Sequence, residues 1–167
     1  MVTLQSLHSV VAWWETIALR EAPDWIQALL GARKRLAMLE RDLDWLKAYG
    51  EVPNSTSLSF DSDAEFLGAM YVMEGSTLGG QLIARHVEIS LKLDSGNGYS
   101  FFQGHGSRTG PLWKEFCETL RARISDRESD SVVEAARRMF RMFRVQIISS
   151  AATRRDQLIQ DGGGIFK

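Results

Sequence analysis

An all-α fold is what the sequence predicts, and three observations carry it. Apolar residues recur at three- and four-residue steps through most of the chain, no stretch reads as a convincing strand, and glycines and prolines divide the chain into helix-length segments. A length of 167 residues suits one domain, residues 1–167, with a sizeable core.

Val2 to Arg20 reads as an amphipathic helix that buries Leu4, Leu7, Val11, Trp14 and Ala18. The helix breaks around Pro23, which suits the opening of the next one. Asp24 to Tyr49 reads as a single second helix with Trp25, Leu29, Leu36, Leu39, Leu43 and Leu46 inward. Its Arg33, Lys34 and Arg35 are expected on a solvated face. Gly50 ends it, and a polar loop containing Pro53 follows. Asp61 or Asp63 is expected to cap a third helix running to about Leu93. Phe66, Met70, Met73, Leu78, Leu82, Ile83 and Val87 cover much of its circumference, so it is expected at the centre. Asp94 to Gly110, with five glycines, is expected to be an irregular connection pinned by Phe101 and Phe102, with His105 exposed. A fourth helix runs from near Pro111 to about Ser125. A fifth, opened by Ser129 or Asp130, frays into a tail at 162–167.

Composition excludes several function classes. A net charge of -1 gives no support to nucleic-acid binding. Cys117 is the only cysteine, so neither a disulfide framework nor a CxxC metal site is present. No apolar run is long enough to span a bilayer and no signal peptide opens the chain, so a cytoplasmic protein is expected.

The third helix holds the stretch that stands apart, YVMEGSTLGGQLIARH, Tyr71 to His86. Each helix-interior glycine costs about 1 kcal/mol against alanine, and here Gly75, Gly79 and Gly80 fall within one short span. Gly75 and Gly79 lie four apart, on one face, and the pair Gly79-Gly80 permits a bend. Such a bare face serves close helix packing or receives a flat ligand. Lys114, Arg121 and Arg123 on the fourth helix are candidates to take that ligand's carboxylates. His86, seven residues past Gly79, returns to nearly the same face and is a candidate metal ligand, or else pairs with a carboxylate such as Glu88 or Glu118. There is no HExxH or ExxH pair, no nucleophile elbow around Ser76 and no P-loop.

Two linked motifs, YVMEGSTLGGQLIARHV and FFQGHGSRTGPLWKEF, resemble the bacterial heme oxygenases that accompany bacteriophytochromes. The similarity is strongest from Ala69 to Phe116 and extends more weakly back to Leu4 and forward through RRMFRMF. It implies a helical bundle that holds heme between a proximal and a distal helix and cleaves it to biliverdin, iron and carbon monoxide. Dioxygen and an external electron donor would be needed. By that resemblance Gly75, Gly79 and Gly80 are distal-helix glycines. Ser76 stands where some relatives carry an aspartate, so the distal network would lean on Ser76, Thr77 and backbone carbonyls. Arg121 or Arg123 corresponds to the basic residue that holds the propionates.

The family's axial histidine lies on a helix that precedes the one resembled by Val2–Arg20, so that proximal helix is expected to be missing. His8 does not correspond to the iron ligand. Three functions follow: a heme oxygenase with its ligand supplied unusually, by His86, by His8 after rearrangement or by a second chain; a non-catalytic heme- or bilin-binding or protein-interaction descendant; or a shortened domain that self-associates. A missing helix is expected to leave an apolar trough lined by the Trp13-Trp14 helix, the glycine-bearing helix and the last helix. A homodimer with Trp13 or Trp14 near the contact would cover it.

Overall fold

The computed structural model describes residues 2–48, 58–93 and 96–162, with side chains described within 4–48, 58–93 and 96–149. The expected helix end at Gly50, the Pro53 loop, the first residues of the 94–110 connection and the tail beyond Gly162 lie outside the described residues. The elements are α1 (Val2–Glu21), α2 (Asp24–Gly31), α3 (Leu36–Trp45), α4 (Asp63–Leu91), α5 (Ser100–Gln103), α6 (Thr109–Arg123) and α7 (Ser129–Gly162). Among the described residues there is no strand, and no helix is long and apolar enough to cross a membrane.

α4 is central, as its all-round apolar pattern predicts. It packs most extensively on α7 and also meets α5 and α6, while α1 packs against α7 and α3. The α4–α7 approach depends on a missing side chain: a Cβ on Gly68 would stand 2.3 Å from the Val132 carbonyl oxygen. α1 buries the stripe read from its sequence, with Trp14 only 1% exposed. Around it Ile26, Leu39, Leu67, Met70, Phe116, Met139 and Met142 are fully enclosed. Burial of each such side chain contributes about 1.5–3 kcal/mol.

The expected second helix is two helices. α2 stops at Gly31 and α3 begins at Leu36. Leu29 and Leu36, seven apart, keep the apolar period in step across the break and hide it from the sequence. The free amides at the start of α3 are satisfied from another helix: Glu15 Oε1 of α1 accepts from the backbone N–H groups of Arg35 (2.6 Å) and Leu36 (2.9 Å). The intervening turn carries Arg33 and Arg35 inward, at 5% and 3% exposure, so of the three basic residues expected on a solvated face only Lys34 is exposed.

α4 is capped by Ser62, not by Asp61 or Asp63; its Oγ accepts from the Glu65 N–H. The glycine-rich connection is more ordered than its composition suggests. α5 forms inside it because Asp42 of α3, fully buried, accepts from the Ser100 N–H (2.9 Å), the Ser100 hydroxyl (2.7 Å) and the Phe101 N–H (2.8 Å). Phe101 is buried in the core and Phe102 packs against it, as expected of pins.

Candidate functional site

A cavity of about 620 Å³ opens beside α4. Val72, Gly75 and Ser76 of α4 line it, with Phe101 and Phe102 of α5, Trp113 of α6, Phe140 and Phe143 of α7, and Leu7 of α1. Its walls are therefore almost wholly apolar and aromatic. Tyr71, Leu78, Ile83 and Phe140 are exposed among the lining residues.

The three glycines have separate roles. At Gly75 a Cβ would meet only the Trp113 ring, at 3.7 Å, so the missing side chain leaves cavity space under that ring. Gly80 lets α5 cross close to α4, because a Cβ there would lie 2.9 Å from the Phe102 carbonyl oxygen. At Gly79 nothing lies within 4 Å, and Gly79 is not among the lining residues. α4 continues through all three as one helix.

Beneath this wall sits a buried charge cluster. Arg33 Nε lies 3.2 Å from Glu74 Oε2, an ion pair at an angle poor for a hydrogen bond. Its Nη2 donates to the Leu112 carbonyl (3.1 Å) and to Glu115 Oε2 (2.9 Å). Arg35 Nη2 donates to the Met73 carbonyl (2.7 Å) and to Ser76 Oγ (2.8 Å), while its guanidinium lies 4.7 Å over the Phe101 ring. Burial raises the Glu74 pKa to about 6 against the pull of both arginines, and burial lowers that of Arg35 to about 10 against Glu74 and Glu15. Among the described residues Arg35 is the one cation that lines the cavity.

The other predicted site residues fall as follows. Ser76 Oγ donates to the Met73 carbonyl at 2.7 Å, and Thr77 Oγ1, buried, donates to the Glu74 carbonyl at 2.5 Å. Lys114, Arg121 and Arg123 are exposed on α6 and do not line the cavity. Lys114 faces Glu118 at 3.8 Å, and Arg123 stacks over Trp25 at 4.5 Å. His86 is exposed, 3.4 Å from Ser90 Oγ. His8 stands on α1, 3.8 Å from Glu40 Oε1. The expected exposed loop position of His105 is corrected: it is half-buried, and its enclosed Nε2 has no hydrogen-bond partner among the described residues. Burial, with Arg35, Arg108 and Arg33 nearby, lowers its pKa, so the charged ring is disfavoured there. No histidine lines the cavity, and no group of residues suited to a metal ion occurs among the described residues. The cavity touches the three helices expected to line a trough, and α1 contributes Leu7 to it and not Trp14, which is enclosed in the core.

Arg33 and Arg35 are what sequence reasoning missed. The available signal was Glu74, a carboxylate set among apolar residues of a central helix, which needs a cation beside it.

Fold and site together define an all-helical protein with an aromatic-walled cavity against a glycine-bearing helix, the architecture of heme oxygenases. The structure superposes on the heme oxygenase from Leptospira interrogans with a TM-score of 0.69 at 16% identity, over 87% of this chain and 80% of that one. It superposes on the heme oxygenase from Neisseria meningitidis, solved with nitric oxide and carbon monoxide bound, with a TM-score of 0.65 at 21% identity, over 89% and 73% of the two chains. No curated protein matches the sequence. The heme oxygenase family model matches residues 32–148, and the chain belongs to the heme oxygenase family.

Proposed function

We propose that the cavity receives a heme-type tetrapyrrole as substrate, its plane set against α4 at Gly75. The observation that carries this is the coincidence of three features: a bare backbone at Gly75, aromatic walls, and a volume of about 620 Å³, within the range of small-molecule sites. The reaction would be that of the family, oxidative opening to biliverdin with release of iron and carbon monoxide, using dioxygen and an external electron donor. In that reaction the chain's residues exclude water, orient the macrocycle and hold the distal polar groups. Ser76 supplies a hydroxyl there, with Thr77 behind it on the Glu74 carbonyl. Gly75 supplies the bare backbone, Gly80 seats α5 and Gly79 keeps the next turn clear, and Lys114, Arg121 and Arg123 are the basic residues for carboxylates that reach the surface.

A second reading, a tetrapyrrole-binding protein without turnover, rests on a specific observation. Heme iron needs an axial donor to set its redox behaviour, and no histidine lines the cavity. His86 would have to move to provide one. Hemin titration followed by reduction under air separates the two readings: biliverdin absorption supports turnover, and a stable hemin complex supports binding alone. A cytoplasmic protein whose exposed Tyr71, Leu78, Ile83 and Phe140 are covered by a second copy completes the proposal. Sedimentation at micromolar concentration tests it, and a monomer that binds no dye for apolar surface overturns the dimer.

A further inference from the structure

The oddest group in the molecule is Arg35. Its side chain is 3% exposed, yet it forms no ion pair among the described residues. Glu74, the nearest buried carboxylate, pairs with Arg33 instead. Only Nη2 of Arg35 has hydrogen-bond partners, on Met73 and Ser76; no described residue accepts from Nε or Nη1. Glu74 and Glu15 act on it from a distance but neither carboxylate touches its guanidinium, and a buried cation so placed is costly unless something completes it; this one borders a mostly apolar cavity. Stacking on Phe101 fixes the plane of the guanidinium and leaves its remaining donors in a set direction.

We infer that Arg35 is an anion-anchoring residue, whose free N–H groups take a negatively charged ligand atom at the inner end of the cavity. For a tetrapyrrole, and so resting on the function proposed above, that charge has two sources. One is a carboxylate of the macrocycle turned inward. The other is a small anion held on its metal. Ser76 positions Arg35 by accepting from Nη2 and is not itself the anchor.

The test uses the full chain and fluorescence or absorption titrations of wild type, Arg35→Met and Arg35→Lys, with circular dichroism as the check on folding. Anilinonaphthalene sulfonate, an aromatic anion, is compared with neutral phenylnaphthylamine. Protoporphyrin IX is compared with its dimethyl ester, and fluoride is titrated into the hemin-loaded protein. Wild type should prefer the anionic member, and Arg35→Met should remove about ten- to a hundredfold of that affinity, as for a lost charge-assisted hydrogen bond. Arg35→Lys should retain part of it.

Loss with protoporphyrin IX but not its ester identifies the carboxylate; loss of fluoride alone identifies the metal-bound anion. Sulfonate binding that needs Arg35, without any porphyrin binding, refutes the tetrapyrrole reading and leaves the anion site standing. Should Arg35→Met not fold, the wild-type preferences decide. Wild type that favours neither sulfonate nor diacid and takes up no fluoride overturns the inference, as does a folded Arg35→Met that binds every anion as wild type does.

Discussion

Gly68, Gly75, Gly79 and Gly80 share α4, yet the first two and the last answer to different neighbours and Gly79 has none within 4 Å. Alanine at Gly79 has open space and should raise helix stability by about 0.5–1 kcal/mol, measured by urea unfolding. Alanine at Gly68 must push back the α7 backbone and should destabilise the fold by about 1–3 kcal/mol in the same experiment. The opposite signs come from one atom each. Glu74 makes a pH-dependent contribution: burial lifts its pKa from 4.5 in the unfolded chain to about 6, so folding takes up a proton between those values. Its contribution to stability is fully present below pH 4.5 and is lost as pH rises through about 6. Glu74→Gln, which cannot ionise, should lack that decline, and unfolding curves across this interval would show it. A decline of equal size in the variant would assign it to other groups. The glycine cluster was legible in the sequence because its helix-propensity cost is local. The inward turn of Arg33 and Arg35 was not, since it depends on Glu74 lying across the fold.

Short elements here are held by side chains of other helices. α5 has four residues and no internal cap; Asp42 of α3 supplies three acceptor contacts to its first turn. Asp42→Ala would leave buried N–H groups unpaired and should cost on the order of 3 kcal/mol or more. Phe102 and Phe101 would then lose their place on the cavity wall, so ligand binding should weaken as well. Thermal unfolding and a dye titration on the same variant check both effects, and full stability with intact binding would show that α5 is held otherwise. Glu15 does similar work at the start of α3. The long helices α1, α4 and α7 were readable from periodicity because each buries a stripe many turns long. The α2–α3 break and α5 were not readable, because their stop and start signals are tertiary contacts made by Glu15 and Asp42. Ser62 in place of Asp61 or Asp63 as the α4 cap is a shift of one residue among three good candidates.

At the scale of the molecule, helix packing leaves a cavity where α4 carries no side chain, and the fold is organised to keep it open. α7 closes on α4 at Gly68, α5 crosses at Gly80, and Trp113 of α6 stands over Gly75. The cavity lies among α1, α4 and α7, the helices read from sequence as its neighbours, with α5 and α6 as further walls. Trp14 is core, as its place in the α1 stripe predicts, and buried Phe60 meets its ring at 6.0 Å. Family membership and the all-helical fold were legible from two motifs and their spacing. The polar interior of the site was not. The most direct test is a hemin titration followed by absorption, run in parallel on wild type and Gly75→Leu. Leucine suits a helix, so the fold should persist while its side chain fills the space under Trp113. Saturable one-to-one binding by wild type, lost in Gly75→Leu and without the bands of a histidine-ligated complex, is the expected result. Equal binding by both proteins, or no saturable binding by wild type, would place the tetrapyrrole elsewhere or exclude it.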